Sequence, residues 1–214
     1  MDFDGDAASV EPSDAEVDYL CRAAGRYLAR APSAADVLWR YAGVRPLYDD
    51  GTQDPSAITR DYTLRVDDVE GKMPVLSVFG GKITTYRRLA EHALEKLAPY
   101  FPQMKGAWTA QTPLPGSDFA DRETAKRELQ QRFRAVAPNV LQGVFRRHGT
   151  LTAQVLGDGE LGEYYGAGLT ERELAYLRER EWARSAADVL WRRTKCGLRM
   201  TEAQRARVAQ VMGR

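Results

Sequence analysis

Apolar positions in the first half of the chain change spacing several times, whereas in the second half they keep a helical spacing. Ser13-Asp14-Ala15-Glu16 has the form of a capping box. Behind it Val17, Leu20, Cys21, Ala24 and Leu28 fall on one face, which predicts an amphipathic helix ending before Pro32. Ser33 to Asp36 repeats the capping pattern over a single turn. Val37 to Val44, rich in Trp, Tyr and Val, predicts a strand. Asp49 to Ser56 is a loop by its Asp, Gly and Pro content. Asp61 to Val66 alternates, Val69 to Pro74 supplies a turn, and Val75 to Phe79 returns, which together predict a hairpin. Ala90, Ala93, Leu94 and Leu97 then mark a helix at i, i+3, i+4 and i+7.

Four prolines and two glycines between Pro99 and Gly116 interrupt this pattern. Beyond them the periodicity is helical throughout. Leu129, Phe133 and Val136 lie on a helix ending at Pro138, and Val140, Leu141, Val144 and Phe145 on another. A short piece spans Thr152 to Leu156. Thr170-Glu171-Arg172-Glu173 and Thr201-Glu202-Ala203-Gln204 are capping boxes, and a further helix covers Ala186 to Arg193 with Gly197 as its C′ residue. The pattern predicts an α+β segment over residues 1–112, with a few strands and two helices, and an all-α domain of four to six helices over 113–214.

Composition narrows the function classes. Thirty-one basic residues against thirty acidic ones leave no field to attract nucleic acid. Arg outnumbers Lys by 25 to 6, which matches an Arg- and Ala-rich genome bias better than phosphate-backbone binding. No apolar run reaches the roughly 18 residues of a membrane span. The acidic start Met1-Asp2-Phe3-Asp4 is the reverse of a secretory n-region. Cys21 and Cys196 are too few and too distant for a disulfide framework or a Cys-based metal site, and His92 and His148 stand without spaced ligand partners. These features fit a reducing, cytoplasmic setting.

The candidate chemistry lies in Ser77-Val78-Phe79-Gly80-Gly81-Lys82-Ile83-Thr84-Thr85-Tyr86-Arg87. A β-prone stretch ends in two glycines, and a helix follows. Such a turn brings bare backbone N–H groups up to a ligand, because Gly permits close approach and a helix start offers unpaired donors. An electron-rich carbonyl, a phosphate or a flavin edge suits it, as does an ordinary strand-to-helix connection with a solvated Lys82. Arg45, between Gly43 and Pro46, sits in a constrained loop; it either pairs with Asp49 or Asp50 or forks onto phosphate oxygens. Arg60, beside Asp61, is either a surface residue at a strand start or a cation facing substrate.

Taken in order, Tyr41 to Leu47, Ile58 to Tyr62, the glycine turn, and Glu181-Trp182-Ala183-Arg184 with Asp188-Val189-Leu190-Trp191-Arg192-Arg193 resemble the FAD-dependent, respiratory glycerol-3-phosphate dehydrogenases. These belong to the flavoprotein superfamily that includes D-amino-acid oxidase. Their Gly-x-Gly-x-x-Gly element for the FAD pyrophosphate is not in this sequence, so the resemblance implies the C-terminal part of such an enzyme. It implies that Arg45 grips the substrate phosphate and that Arg60 stabilises a developing alkoxide. It also implies that Gly80, Gly81, Lys82, Ile83 and Thr84 face the flavin, with Lys82 adding charge or touching substrate. FAD, glycerol 3-phosphate, a quinone and the N-terminal FAD domain are the implied partners, at the cytoplasmic face of the membrane; a homodimer stays open. The residues supply no general base. The Trp182 to Arg193 signature reads as structural, its apolar members in the core of a helix pair. Two alternatives remain at this point: a helical interaction module without catalysis, and an amine or hydroxy-acid oxidase built on the same turn.

Overall fold

A computed structural model describes residues 5–44 and 61–213. Two compact units divide the chain, Met1–Thr112 and Pro113–Arg214. Helices together with two small antiparallel hairpins make the architecture α+β.

In the first unit, helix α1 (Asp14–Gly25) starts at the expected capping box. Ser13 Oγ accepts from Glu16 N at 3.3 Å, and Glu16 Oε2 accepts from Ser13 N at 2.9 Å. Val37 to Val44 does not form the expected strand. A strand needs a ladder partner whatever its propensity, and none pairs with it among the described residues; Trp39 stacks on Tyr41 instead, ring centroids 4.9 Å apart. The hairpin is present and longer than the alternation marks. Strand β1 (Tyr62–Val69) pairs with β2 (Lys72–Gly80), in register from Tyr62↔Gly80 to Asp67↔Val75, with a shift before Val69↔Lys72. Glu70 and Gly71 turn the chain with φ of 50° and 73°, the primed geometry that matches strand twist. Asp68 Oδ1 fixes the turn by accepting from Gly71 N at 2.8 Å. Helix α2 (Tyr86–Leu97) follows.

The second unit begins with α3 (Arg122–Arg132), capped by Asp121, and α4 (Pro138–His148). Pro138 both closes the first pattern and opens the second as an N1 residue, where its missing N–H costs nothing. Helices α5 (Thr152–Leu156), α6 (Glu171–Arg180) and α7 (Glu202–Met212) complete the set. Between α5 and α6 lies an element the helical periodicity missed, a hairpin of β3 (Tyr164–Gly166) and β4 (Leu169–Thr170). Strands of three and two residues carry too few positions to show a period. Residues Asp188–Arg193, expected as an α-helix, wind as a π-helix, with Thr194 N bonded to Val189 O at 3.1 Å.

Packing differs sharply between the units. Val17 is the one buried apolar residue described in the first, while every other buried apolar side chain lies in the second. One cluster there gathers Phe133, Val140, Val144 and Leu156, and another gathers Leu169, Leu177, Val189 and Val208. Burying a Leu or Val side chain stabilises by about 1.5–3 kcal/mol, so the second unit has a sufficient core of its own. Expressed alone, residues 113–214 are expected to show helical circular dichroism and a cooperative melt. In the intact chain, amides around Val75 to Phe79 should exchange before those of α4 and α6; the reverse order would show the units to be wrongly divided.

Candidate functional site

Strand β2 ends at Gly80, paired with Tyr62, and the chain reverses through Gly80 and Gly81 at φ of 72° and 103°. Both angles favour glycine. A Cβ on Gly81 would stand 3.1 Å from Leu89 Cδ1 and 3.5 Å from Tyr62 Cβ, so the turn lies tight against α2 and β1. Lys82 heads a single 3-10 turn, Ile83–Thr85, which runs straight into α2. Its first bonds are Thr85 N to Lys82 O at 3.0 Å and Tyr86 N to Ile83 O. The amides from Gly81 to Thr84 precede those bonds and lie outside them, as at any helix start. Thr85 Oγ1 donates back to Lys82 O at 3.0 Å, the local satisfaction expected of a helix-start Thr.

Five of the candidate residues, Gly80, Gly81, Lys82, Ile83 and Thr84, therefore fall together on one strand-to-helix turn. Lys82, Ile83 and Thr84 are exposed, Ile83 at 90%. Arg45 and Arg60 lie outside the described residues. His92 sits half-buried on α2 with its ring edge-on to Tyr62, centroids 5.8 Å apart, which gives it a packing role. The turn can accept an electron-rich ligand edge through bare amides, with a cation beside it. Among the described residues no three His, Cys, Asp or Glu side chains converge on a metal-sized site.

A second constellation escaped the pattern. Glu173 is fully buried in α6, and it does not fold back on the N-cap as a capping-box glutamate does. Thr170 Oγ1 still accepts from Glu173 N, at 3.4 Å. The carboxylate instead takes a forked pair of bonds from Arg147 Nε and Nη2, both at 2.6 Å, and stands 2.9 Å from His148 Nε2. Arg147 Nη2 also donates to Gly168 O at 3.2 Å, tying α4 to the β3–β4 turn. Burial alone would raise the Glu173 pKa; hydrogen bonds from His148 and Arg147, with the guanidinium charge, outweigh it and hold the carboxyl below the ordinary range. No spacing in the sequence signals this triad, because its members lie on α4 and α6 and meet only on folding.

In the Trp182 to Arg193 signature Ala183, Val189 and Leu190 lie in the core as expected, with Trp191 packed against them, whereas Trp182 does not. Trp182 is 79% exposed, at φ 55°. Asp188 accepts from Arg184 N at 3.0 Å and from Ser185 N and Oγ at 2.9 Å, bonds that with Arg192 bring its carboxyl down to about 2. Arg193 donates twice to Glu181 O, at 3.2 and 2.8 Å. These bonds fasten the irregular winding where α-helical bonding fails.

Comparison with known proteins places this arrangement. Residues 107–214 match the C-terminal domain of alpha-glycerophosphate oxidase. The chain is 42% identical over 215 residues to the aerobic glycerol-3-phosphate dehydrogenase of Escherichia coli, a match covering 98% of this chain and 43% of that protein. It is 43% identical to a glycerol-3-phosphate dehydrogenase of Pseudomonas aeruginosa, over 99% of this chain and 42% of the relative. A D-erythritol 1-phosphate dehydrogenase of Brucella abortus is 42% identical over 95% of the chain and 42% of its own length. The chain thus spans less than half of each of these curated relatives.

Proposed function

Because the chain belongs to the family defined by the C-terminal domain of alpha-glycerophosphate oxidase, we propose that it is the C-terminal part of an FAD-dependent enzyme that oxidises sn-glycerol 3-phosphate to dihydroxyacetone phosphate. The observation that carries this reading is the turn with bare amides from Gly81 to Thr84, in a chain of 42% identity to an aerobic glycerol-3-phosphate dehydrogenase. The turn suits the electron-rich edge of a flavin ring: its amides lie outside helical bonding, and Lys82 adds positive charge. Bound FAD would supply the two-electron acceptor and pass electrons to a quinone.

This chain's residues then have defined tasks. Gly80 and Gly81 let the backbone come close, and the amides of Lys82, Ile83 and Thr84 hold negative charge at the ring edge. Arg45 grips the phosphate of the substrate in bidentate fashion. Arg60 stabilises alkoxide character as the hydroxyl loses its proton. The proton acceptor itself is assigned to the remainder of the enzyme. That remainder, the N-terminal FAD domain, also covers the apolar side chains the first unit leaves open, among them Val75, Val78 and Ile83. A cytoplasmic, peripheral membrane location belongs to the same proposal and rests on the family resemblance; no helix among the described residues is long and apolar enough to cross a membrane.

The names of the relatives do not favour an amine or hydroxy-acid oxidase, nor an interaction module without catalysis. The D-erythritol 1-phosphate dehydrogenase is as similar as the others, which supports a polyol phosphate as the substrate class and leaves the choice among polyols to a test. The test is anaerobic mixing of the whole enzyme with each substrate. Flavin absorbance should bleach with sn-glycerol 3-phosphate, and more slowly or not at all with D-erythritol 1-phosphate. The 214-residue chain alone should retain no flavin; a yellow preparation of it, or a whole enzyme left oxidised by both substrates, would overturn the reading.

A further inference from the structure

The polar face of α4 bounds a cavity of about 420 Å³ that the flavin chemistry does not use. Asn139, Gln142, Gly143 and Arg146 follow one another there at i, i+3, i+4 and i+7, opposite the buried Val140, Val144 and His148. The other walls are Tyr164 with the turn of the β3–β4 hairpin, and the 3-10 turn Cys196–Arg199, entered through Lys195 at a φ of 58° that L side chains rarely adopt. Four cations, Arg146, Arg147, Lys195 and Arg199, line this cavity, and not one carboxylate does. In a protein of nearly balanced charge such segregation is local and strong.

Of the four, Arg147 already has Glu173 behind it as counter-ion, so it adds hydrogen-bonding capacity rather than net charge. Its Nε and Nη2 serve Glu173 and Gly168, while Nη1 extends over Gly143, where a Cβ would stand only 3.2 Å away. Arg146 and Arg199 are exposed and make no ion pair among the described residues, which leaves two guanidinium charges without an anion there. The walls are also rigid before any ligand arrives. Arg147 bonds Gly168 O, Cys196 Sγ donates to Ala167 O at 3.5 Å, and Arg205 Nη1 holds Gly197 O and Met200 O at 3.2 and 2.9 Å. A cavity fixed by its own framework binds without first ordering its parts, and its volume falls in the range of small-molecule sites.

We infer that this cavity is a binding site for a phosphate-class dianion, with Arg146 and Arg199 as its charge-bearing ligands. Two unpaired guanidiniums match a dianion in charge, and their planar forks match phosphate oxygens in shape. Amide donors of Asn139 and Gln142 and the Tyr164 hydroxyl, whose oxygen accepts from Gly168 N at 3.1 Å and whose proton remains to donate, complete a donor-rich lining. The phosphate belongs either to a soluble phosphorylated molecule or to a lipid headgroup.

Titration calorimetry of the 214-residue chain with inorganic phosphate, against sodium chloride of equal ionic strength, tests this. Saturable one-site binding is expected. Arg146→Gln with Arg199→Gln should weaken it by about a hundredfold, roughly tenfold for each charge-assisted contact removed. Both residues are exposed, so the double variant should keep the parent circular dichroism spectrum. Arg178→Gln, which removes one exposed charge from α6 away from the cavity, should bind phosphate as the parent does. Sedimentation with phosphatidylcholine vesicles, with and without phosphatidic acid, separates the sources. Co-sedimentation that needs phosphatidic acid and both arginines identifies a headgroup; saturable phosphate binding without vesicle binding identifies a soluble ligand. No saturation by phosphate and no arginine-dependent vesicle binding, an undiminished double variant, or an equal loss in Arg178→Gln would overturn the site. None of these readouts involves flavin, so they stand or fall apart from the proposed oxidation.

Discussion

Replacing Arg147 with alanine is expected to destabilise the chain by about 3–5 kcal/mol at neutral pH, because it leaves the Glu173 carboxylate buried without its cation. The side chain of Glu173 is wholly inaccessible, whereas that of Arg147 still has 12% of its surface open, so the guanidinium is the partner whose loss cannot be repaired by water. His148 remains 2.9 Å away, but a single ring nitrogen cannot replace a fork that bonds both oxygens. The loss should depend on pH in a set direction. In the parent, the lowered pKa of Glu173 contributes stability above the ordinary value of 4.5, and that contribution is lost as pH falls through the folded pKa. In Arg147→Ala, burial dominates and raises the pKa, so protonation begins to relieve the penalty above pH 4.5, and the gap between variant and parent goes on narrowing below it as the parent loses its own contribution. Arg147→Lys should recover only part, since an ammonium cannot form the fork. Arg147→Met combined with Glu173→Leu should recover most of it, because no uncompensated charge is then buried. Urea unfolding followed by circular dichroism, at neutral and acid pH, measures all four. A loss below about 1 kcal/mol, or one indifferent to pH, would mean that water reaches Glu173 after all.

In the whole enzyme, Arg45→Ala and Arg60→Ala are each expected to lower kcat/KM for sn-glycerol 3-phosphate by about 2–5 kcal/mol in transition-state terms, the usual effect of truncating a desolvated, hydrogen-bonded charge. The two losses should differ in kind. In the proposed assignment Arg45 would bind a phosphate that does not change during reaction, so its removal should act mainly on KM. Arg60 would, on the same assignment, meet charge that develops at the hydroxyl, so its removal should act on kcat as well. Flavin content should stay at the parent level in both, since the proposal gives the cofactor to the glycine turn and the rest of the enzyme. Steady-state kinetics and flavin absorbance on the same preparations decide the matter. Unchanged specificity constants, or parallel loss of flavin, would remove both arginines from the substrate site.

How far the residues themselves reveal this architecture depends on the range of the interactions involved. Helix starts at Ser13 and Thr201 were legible because a capping box is closed within four residues, and Glu16 and Gln204 bond back as the pattern requires. Thr170 to Glu173 carries the same signature and meets a different end. There the N-cap bond forms, but the glutamate is drawn inward by Arg147 and His148, which the chain brings to it from another helix. Val37 to Val44 shows the opposite failure: a strong β propensity that forms no strand ladder among the described residues. The glycine turn was legible because both its glycines and the helix behind it are local features; the phosphate-class cavity was not, because its arginines lie on α4 and on the turn before α7.

What the sequence determined by itself is therefore what short-range chemistry can specify. It set the α+β class, the helix caps, the hairpin with its glycine turn, and the resemblance that led to the family. Tertiary structure alone decided which of the charged side chains work as pairs. Glu173 and Arg147 became a buried ion pair, with His148 beside it, because packing in the second unit removed water and brought two helices together; Asp188 clasps the π-wound turn through local bonds to Arg184, Ser185 and Arg192. A charge in a sequence has no fixed role; desolvation and distance assign it one, and both exist only once the chain has folded.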